Sequence, residues 1–433
     1  MTSPTFYLST LGCAKNQVDS EKLQAMLTDS GYEMANSAEA ADLVMVNTCA
    51  FIEQARQESV ETILDLEERK RPGARTVVLG CMAQRFGVEV ERALPEVDLV
   101  LGLDRYAELV PALDRLTGWR PVTFRRPTMD ILHATRRPRP QLPYAYVKVA
   151  EGCDKPCTFC AIPLIRGRQR SRQPENVAAE VKALAGAGVA EVVLVAQDLA
   201  AYGRDLETAD GIVELVRMAA REVERVRLLY LYPKEIRPEL IDEICGNPAV
   251  ASYFDLSLQH AAQRLLRAMK RPGNGERFLD LIRTIRTADP LAALRSSFIV
   301  GFPGETDDQV EELAAFLESA RLDWAGFFPF SAEEGTPAAV LDGQIPSDLV
   351  AERLRYLQAI QDDITAEANL ETVGTSTTVL IDEIEEGKPV GRSYREAPEI
   401  DGVVVVDRGG IGDWVDVEIT AAYGSDRTGT AIG

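Results

Sequence analysis

Histidine is nearly missing from this chain: 433 residues contain two. Positive charge is also short, with 47 Lys and Arg against 68 Asp and Glu and a formal net charge of −21. The molecule as a whole therefore cannot be drawn to nucleic-acid phosphate by nonspecific attraction. No apolar run approaches the roughly 18 residues of a membrane-spanning helix. The first ten residues lack a basic region followed by an apolar core, so no secretion signal is expected and the expected location is cytoplasmic. Seven cysteines are an odd number in a long chain, which favours free thiols or metal ligands over a disulfide framework. What remains is ordinary globular composition, 46% hydrophobic and 27% charged, long enough for about three domains.

Composition shifts twice. The stretch Gly118 to Pro143 holds five prolines and six arginines, a density that blocks helix and central strand and reads as a surface linker. A second change falls near Asn369 to Gly374, where a helical pattern from Ser347 gives way to short Thr/Val-rich runs. The expected domains are 3–118, a linker at 119–138, 139–368 and 369–433. In the first, Thr5–Leu11, Leu43–Asn47, Thr76–Leu79 and Asp98–Leu101 read as buried parallel strands. They alternate with the helical patterns Asp19–Ser30, Phe51–Arg69 and Met82–Ala93, which predicts a doubly wound α/β sheet. The second repeats the alternation with strands at Tyr144–Ala150, Glu191–Gln197, Val226–Tyr232, Tyr253–Gln259, Leu294–Gly301 and Gly326–Phe330. Six strand units predict an incomplete (β/α)6 barrel rather than a closed eight-stranded one. Thr377–Asp382, Val403–Asp407 and Trp414–Thr420, separated by glycines, predict a small antiparallel β-barrel.

Cys153, Cys157 and Cys160 lie within eight residues, directly after the first barrel strand. Three thiolates on one loop can point at one small object at the carboxyl end of a strand, where barrel chemistry sits. Tetrahedral zinc wants four ligands, and His133 and His260 are both distant in sequence. A 4Fe–4S cube can take one cysteine on each of three irons and keep the fourth open. A zinc knuckle is the alternative. Cys13, Cys49 and Cys81 are far apart in sequence, yet each follows a predicted strand. Strand carboxyl ends share one edge of an open parallel sheet, so these thiols either converge on a second cluster or pack as small core residues. Cys245 ends a helical pattern and reads as packing.

The Cys-x-x-x-Cys-x-x-Cys spacing resembles that of the radical S-adenosylmethionine (SAM) enzymes. With Leu11–Glu21, Val46–Cys49 and Gly80–Gln84, the whole chain is similar to the methylthiotransferases, ending in a TRAM-like barrel. That resemblance implies a SAM-chelating 4Fe–4S cluster on Cys153, Cys157 and Cys160, and an auxiliary 4Fe–4S cluster on Cys13, Cys49 and Cys81. It implies one SAM as methyl source and another cleaved to a 5′-deoxyadenosyl radical, with electrons from a donor such as flavodoxin or ferredoxin. Gln197-Asp198, Tyr202-Gly203, Leu229–Pro233 and above all Arg392–Gly402 resemble the branch that acts on the β-carbon of an aspartate in small-subunit ribosomal protein twelve. The neighbouring branch modifies isopentenyladenosine in tRNA. A distant alternative is a non-catalytic iron–sulfur or RNA-binding scaffold.

Charge separates these readings independently. From Leu370 to Gly433 there are 13 acidic and 5 basic residues, unsuited to gripping RNA and suited to a basic protein partner. Arg115–Arg172 is the opposite, with 13 basic and 3 acidic residues, and could touch ribosomal RNA, the SAM carboxylate or the clusters' negative charge. The remaining expected cofactor contacts are Gln197, Asp198, Ser257, Gln259, Gly301, Gly304 and Glu305, all at strand ends or in the turn before a helix capped by Thr306 and Gln309. For His260 a hydrogen-bonded structural role is expected.

Overall fold

The computed structural model describes residues 3–118, 132–133, 135–206, 208 and 211–432, so much of the linker expected at 119–138 lies outside the described residues. The chain forms two compact units. The first comprises Met1–Arg139 with Glu151–Asp154 and Cys160–Gln169; the second comprises Pro140–Ala150, Lys155–Phe159 and Arg170–Gly433.

The first unit is built on five parallel strands, β1 (Thr5–Thr10), β2 (Glu33–Met34), β3 (Leu43–Thr48), β4 (Arg75–Leu79) and β5 (Leu99–Gly102), in the order β2-β1-β3-β4-β5. Strand β3 is buried along its whole length, which explains its continuous apolar run in place of alternation. The helices are α1 (Ala14–Asp29), α2 (Glu53–Arg69), α3 (Gly80–Ala93) and α4 (Leu109–Thr117). Helix α1 begins five residues before the expected Asp19. Its first turns bury Lys15, Asn16 and Asp19 rather than apolar side chains, so hydrophobic periodicity could not reveal them. The order places a topological switch between β1 and β3, where open α/β sheets bind ligands at strand carboxyl ends.

The second unit opens with six parallel strands, β6 (Tyr144–Lys148), β7 (Glu191–Val195), β8 (Arg225–Leu228), β9 (Tyr253–Gln259), β10 (Ala293–Val300) and β11 (Trp324–Pro329). They form two three-stranded sheets, joined by the bridges Val226–Val250 and Leu231–Leu256 into one run in sequence order. Interposed are helices α5 (Ile162–Arg166), α6 (Pro174–Gly186), α7 (Gly211–Ala220), α8 (Pro238–Gly246), α9 (Gln263–Ala268), α10 (Gly275–Ala288) and α11 (Asp307–Ala320), and α12 (Ser347–Leu370) follows; α5 falls in the first unit. Thr306 and Gln309 form the expected capping box on α11. This is the incomplete (β/α)6 barrel.

The C-terminal barrel closes on five strands: β12 (Ser376–Glu385), β13 (Lys388–Arg392), β14 (Val404–Val406), β15 (Trp414–Tyr423) and β16 (Asp426–Ala431), in the order β12-β13-β14-β16-β15. It is antiparallel except between β14 and β16, which run parallel, correcting the purely antiparallel expectation. The run Arg392–Gly402 crosses the amino-terminal ends of the large barrel's strands. Glu191, fully buried at the start of β7, accepts hydrogen bonds from Arg227 at 2.7 Å and Arg392 at 3.3 Å. Arg295 of β10 pairs with Asp401 at 3.2 Å, and the Trp324 indole donates to the Arg395 carbonyl at 3.0 Å. The run Arg392–Gly402 thus straps one barrel to the other, on the barrel face opposite the strand carboxyl ends.

Among the described residues no helix is long and apolar enough to cross a membrane.

Candidate functional site

All three early cysteines stand where the sheet order directs a ligand. Cys13 is exposed at the N-cap of α1 just after β1, Cys49 is buried after β3, and Cys81 is buried in the first turn of α3 after β4. Gly12 holds φ +91°, and a Cβ there would come within 2.9 Å of the Cys49 sulfur, so only glycine lets the Cys13 turn pass over Cys49. Asn16 donates to the carbonyls of Leu11 at 2.9 Å and Thr48 at 3.0 Å, tying the turns after β1 and β3. Asn47 donates to the Asn16 carbonyl at 3.0 Å and to Ser20 at 2.8 Å, and Ser59 accepts from the Cys49 amide at 3.1 Å. These buried polar residues were not singled out from the sequence; the signal available was Asn and Ser beside strand-end cysteines.

The thiols feel one another electrostatically. Burial, joined by the charges of Cys81 and Cys13, pushes the Cys49 thiol up to about 12. Burial likewise raises Cys81, against the opposing Arg166 charge. Desolvation pushes Cys13 upward too, but Lys15, Arg166 and the amides of Asn16 and Lys15 outweigh it and hold this thiol below its ordinary value. Holding all three as thiolates would require cationic compensation, which bound iron would supply. Among the described residues no three of His, Cys, Asp or Glu gather tightly enough to hold a single metal ion. A cube asks for less, because each cysteine takes its own iron. None of the seven cysteines forms a disulfide.

On the later loop, Gly152 (φ +75°) would place a Cβ 2.1 Å from the Arg168 carbonyl, and the Cys153 amide donates to Gly167 at 3.1 Å. Cys153 and Cys160 belong to the first unit, where Ala161 and Ile165 pack into the same apolar cluster as Leu79 and Cys81. Cys157 belongs to the second unit, where Arg271 donates to its sulfur at 3.6 Å. Arg271 and Lys155 both lie over the Tyr232 ring, at 4.2 and 4.5 Å. These residues line a cavity of about 360 Å³ with Lys234, Glu235 and Lys270. Lys155 also pairs with Glu235 at 2.5 Å and with buried Asp198 at 3.2 Å. Burial raises the Asp198 carboxyl, with Lys155 opposing. All three thiols of the loop are part-exposed, and within the second unit Cys157 has the cationic side chain of Arg271 on its sulfur, chemistry that fits an iron ligand.

Gln197, like Asp198, follows β7, while Ser257 and Gln259 lie in β9. Gln259 holds φ +73° and Tyr230, after β8, φ +64°; such strain in side-chain-bearing residues gathers at functional rims. His260 is fully buried, its Nδ1 accepting from the amides of Ala261 and Ala262 at 3.0 Å each, as a structural role requires. Glu305 stands in the turn between β10 and α11. It is 4% exposed, and its oxygens accept from the Gly301 amide and from Arg353, each at 3.0 Å, so it braces the turn from inside. A Cβ on Gly304 would meet open space. Gly301 (φ +81°) is needed for packing as well as conformation: its Cβ would lie 2.4 Å from Val350. Gly301→Ala is expected to lower stability by about 1–3 kcal/mol from the backbone alone, with Val350→Ala restoring only part. Thermal unfolding of both variants measures this; full recovery in the double variant would contradict it.

Three family models match the chain: uncharacterized protein family UPF0004 over residues 5–102, the radical SAM superfamily over 147–317, and the TRAM domain over 373–432. A protein of Moorella thermoacetica called ribosomal protein uS12 methylthiotransferase RimO is 44% identical, covering 96% of this chain and 96% of the relative. Its namesake in Saccharopolyspora erythraea is 41% identical, over 98% of this chain and 94% of the relative. Among solved structures, the radical SAM methyltransferase TsrM of Kitasatospora setae with cobalamin and a [4Fe–4S] cluster has a TM-score of 0.56 at 17% identity, covering 78% of this chain and 77% of its own, a likeness of fold. With near-complete similarity to relatives of one name, three matching models in order and cysteines at both strand-end positions, this chain belongs to the ribosomal protein uS12 methylthiotransferase family, radical SAM enzymes that carry two 4Fe–4S clusters.

Proposed function

We propose that this chain attaches a methylthio group to the β-carbon of an aspartate in uS12, with Cys153, Cys157 and Cys160 holding the SAM cluster and Cys13, Cys49 and Cys81 the auxiliary one. The observation that carries the assignment is the placing of Cys13, Cys49 and Cys81 at one sheet edge, across the switch point. When bound, the two clusters and SAM supply a 5′-deoxyadenosyl radical and a methylthio group, which an unactivated C–H bond requires. The chain's own part is to hold and orient. Lys155 and Arg271 present positive charge at the cavity for SAM's carboxylate, and Asp198 offers negative charge for its ammonium. Gln197, Ser257 and Gln259 line the strand ends, while Glu305 and Arg353 fix the Gly301–Gly304 turn.

The acidic C-terminal barrel supports uS12 over tRNA. Two of its five basic residues, Arg392 and Arg427, are buried in ion pairs, and the carboxylates of Glu396 and Asp401 are buried with them, so the acidic excess of the composition stays on the outer surface. A phosphate backbone would be repelled there, and a basic ribosomal protein attracted. Low-potential electrons from a flavodoxin or ferredoxin, contact of the Arg-rich segment with ribosomal RNA, and a cytoplasmic setting belong to the same proposal.

Purified enzyme with SAM and a reductant is expected to add a methylthio mass to uS12 and none to tRNA, read by mass spectrometry in one preparation. Cys157→Ala is expected to abolish 5′-deoxyadenosine formation. Modified tRNA with unmodified uS12 overturns the substrate, and an unchanged nucleoside yield overturns the cysteine assignment.

A further inference from the structure

Arg166 was not among the expected site residues. It closes α5, six residues after Cys160, and its side chain is only 2% exposed. Burying a guanidinium is costly unless its donors are matched. Here both amino nitrogens are spent: one donates to Glu151 at 2.6 Å and Asp19 at 3.3 Å, the other to Asn16 Oδ1 at 2.6 Å and to Cys81 Sγ at 3.4 Å. Every residue in this set belongs to the first unit. Asn16 in turn ties the turns that carry Cys13 and Cys49. A lock between α5 and the sheet would need only the two carboxylates. Aiming the remaining nitrogen at a sulfur, a weak acceptor unless it is a thiolate, is what a metal-ligating cysteine calls for.

We propose that Arg166 is a positioning residue for the cluster on Cys13, Cys49 and Cys81, holding the Cys81 sulfur and setting that cluster's reduction potential. The inference rests on the cluster reading above. A buried cation donating to a ligating sulfur stabilises the form that carries one more electron. Without it the cluster is harder to reduce, and the more so because Asp19 and Glu151 lose the cation that offsets their charge. Lysine keeps the charge but not the planar fork, so it cannot serve Glu151, Asn16 and Cys81 together.

The test is potentiometric titration followed by electron paramagnetic resonance, on the full chain with clusters reconstituted anaerobically. The signal that is lost when Cys13, Cys49 and Cys81 are replaced together by alanine identifies this cluster, and the signal that remains is the SAM-sensitive one. In Arg166→Met the reduced-to-oxidised ratio of that signal at fixed potential is expected to fall at least about tenfold, ~59 mV for a one-electron couple, with the SAM-sensitive midpoint unmoved. Arg166→Lys is expected to fall between wild type and Arg166→Met. Both midpoints at their wild-type values, with both clusters present, overturn the proposal. If Arg166→Met loses the cluster, Arg166→Lys decides: a lowered midpoint supports the role, a wild-type midpoint refutes it. A wild-type chain that holds only one cluster overturns the underlying reading instead.

Discussion

Replacing Cys13, Cys49 and Cys81 together by alanine is expected to leave a protein that still cleaves SAM and delivers no methylthio group. The division follows from where the thiols sit. The three occupy turns after β1, β3 and β4 of one sheet, whereas the loop cysteines follow β6, so removing the first set spares the ligands of the second. The fold is expected to survive, because Cys13 is exposed and the other two lose one small atom each. Iron is expected to fall to about four per chain, the content of one cube. Methylthiolated uS12 should become undetectable while 5′-deoxyadenosine continues to form. Loss of both products together would mean that the two cysteine sets do not act separately.

The second large effect is structural. Glu191→Ala is expected to destabilise the joint between the large barrel and the C-terminal one by about 3–5 kcal/mol, the usual result of stripping a buried charge of its partner. Three arginines are left facing one another, since Arg227, Arg392 and Arg225 all pair with this carboxylate. Burial alone would raise the Glu191 carboxyl, but those arginines outweigh it and hold it at about 2. The stabilisation is therefore present above the unfolded value of about 4.5 and is lost as pH falls toward 2. Hydrogen–deuterium exchange should show β12 to β16 opening faster in the variant while β1 to β5 keep wild-type protection. Equal protection of both sets would contradict it.

The parts of this fold that bury apolar side chains were legible in the sequence. Strands β3, β4 and β7 are buried apolar runs, and the six-unit alternation carried the barrel. What escaped was built from polar residues or from breakers. The start of α1 buries Lys15, Asn16 and Asp19, and β13 carries Pro389 and Gly391, while β16 reads Asp-Arg-Thr-Gly-Thr-Ala without an apolar run. The start of α1 is fixed by partners far away in sequence, Thr48 and Arg166 among them, and β13 and β16 by hairpin pairing with β12 and β15, neither of which an apolar pattern records. The site divides the same way. Spacing and strand-end position pointed to the six cysteines, because those are local properties. Arg166 could not be read as a partner of Cys81, for 85 residues separate them. The hydrogen bonds that Glu305 accepts from the Gly301 amide and from Arg353 were not legible in the sequence either. Likewise Arg392–Gly402 identified the branch as a motif, while its side chains strap two barrels together on the face away from the chemistry.

Everything turns on six cysteine sulfurs dividing into two sets of three. Iron and sulfide analysis with Mössbauer spectroscopy, on anaerobically reconstituted full chain and on the two triple-alanine variants, tests this most directly. The account predicts about eight irons per chain in the wild type, all in 4Fe–4S form, and about four in either variant. About four in the wild type, or full loading in a variant lacking one set, would contradict it.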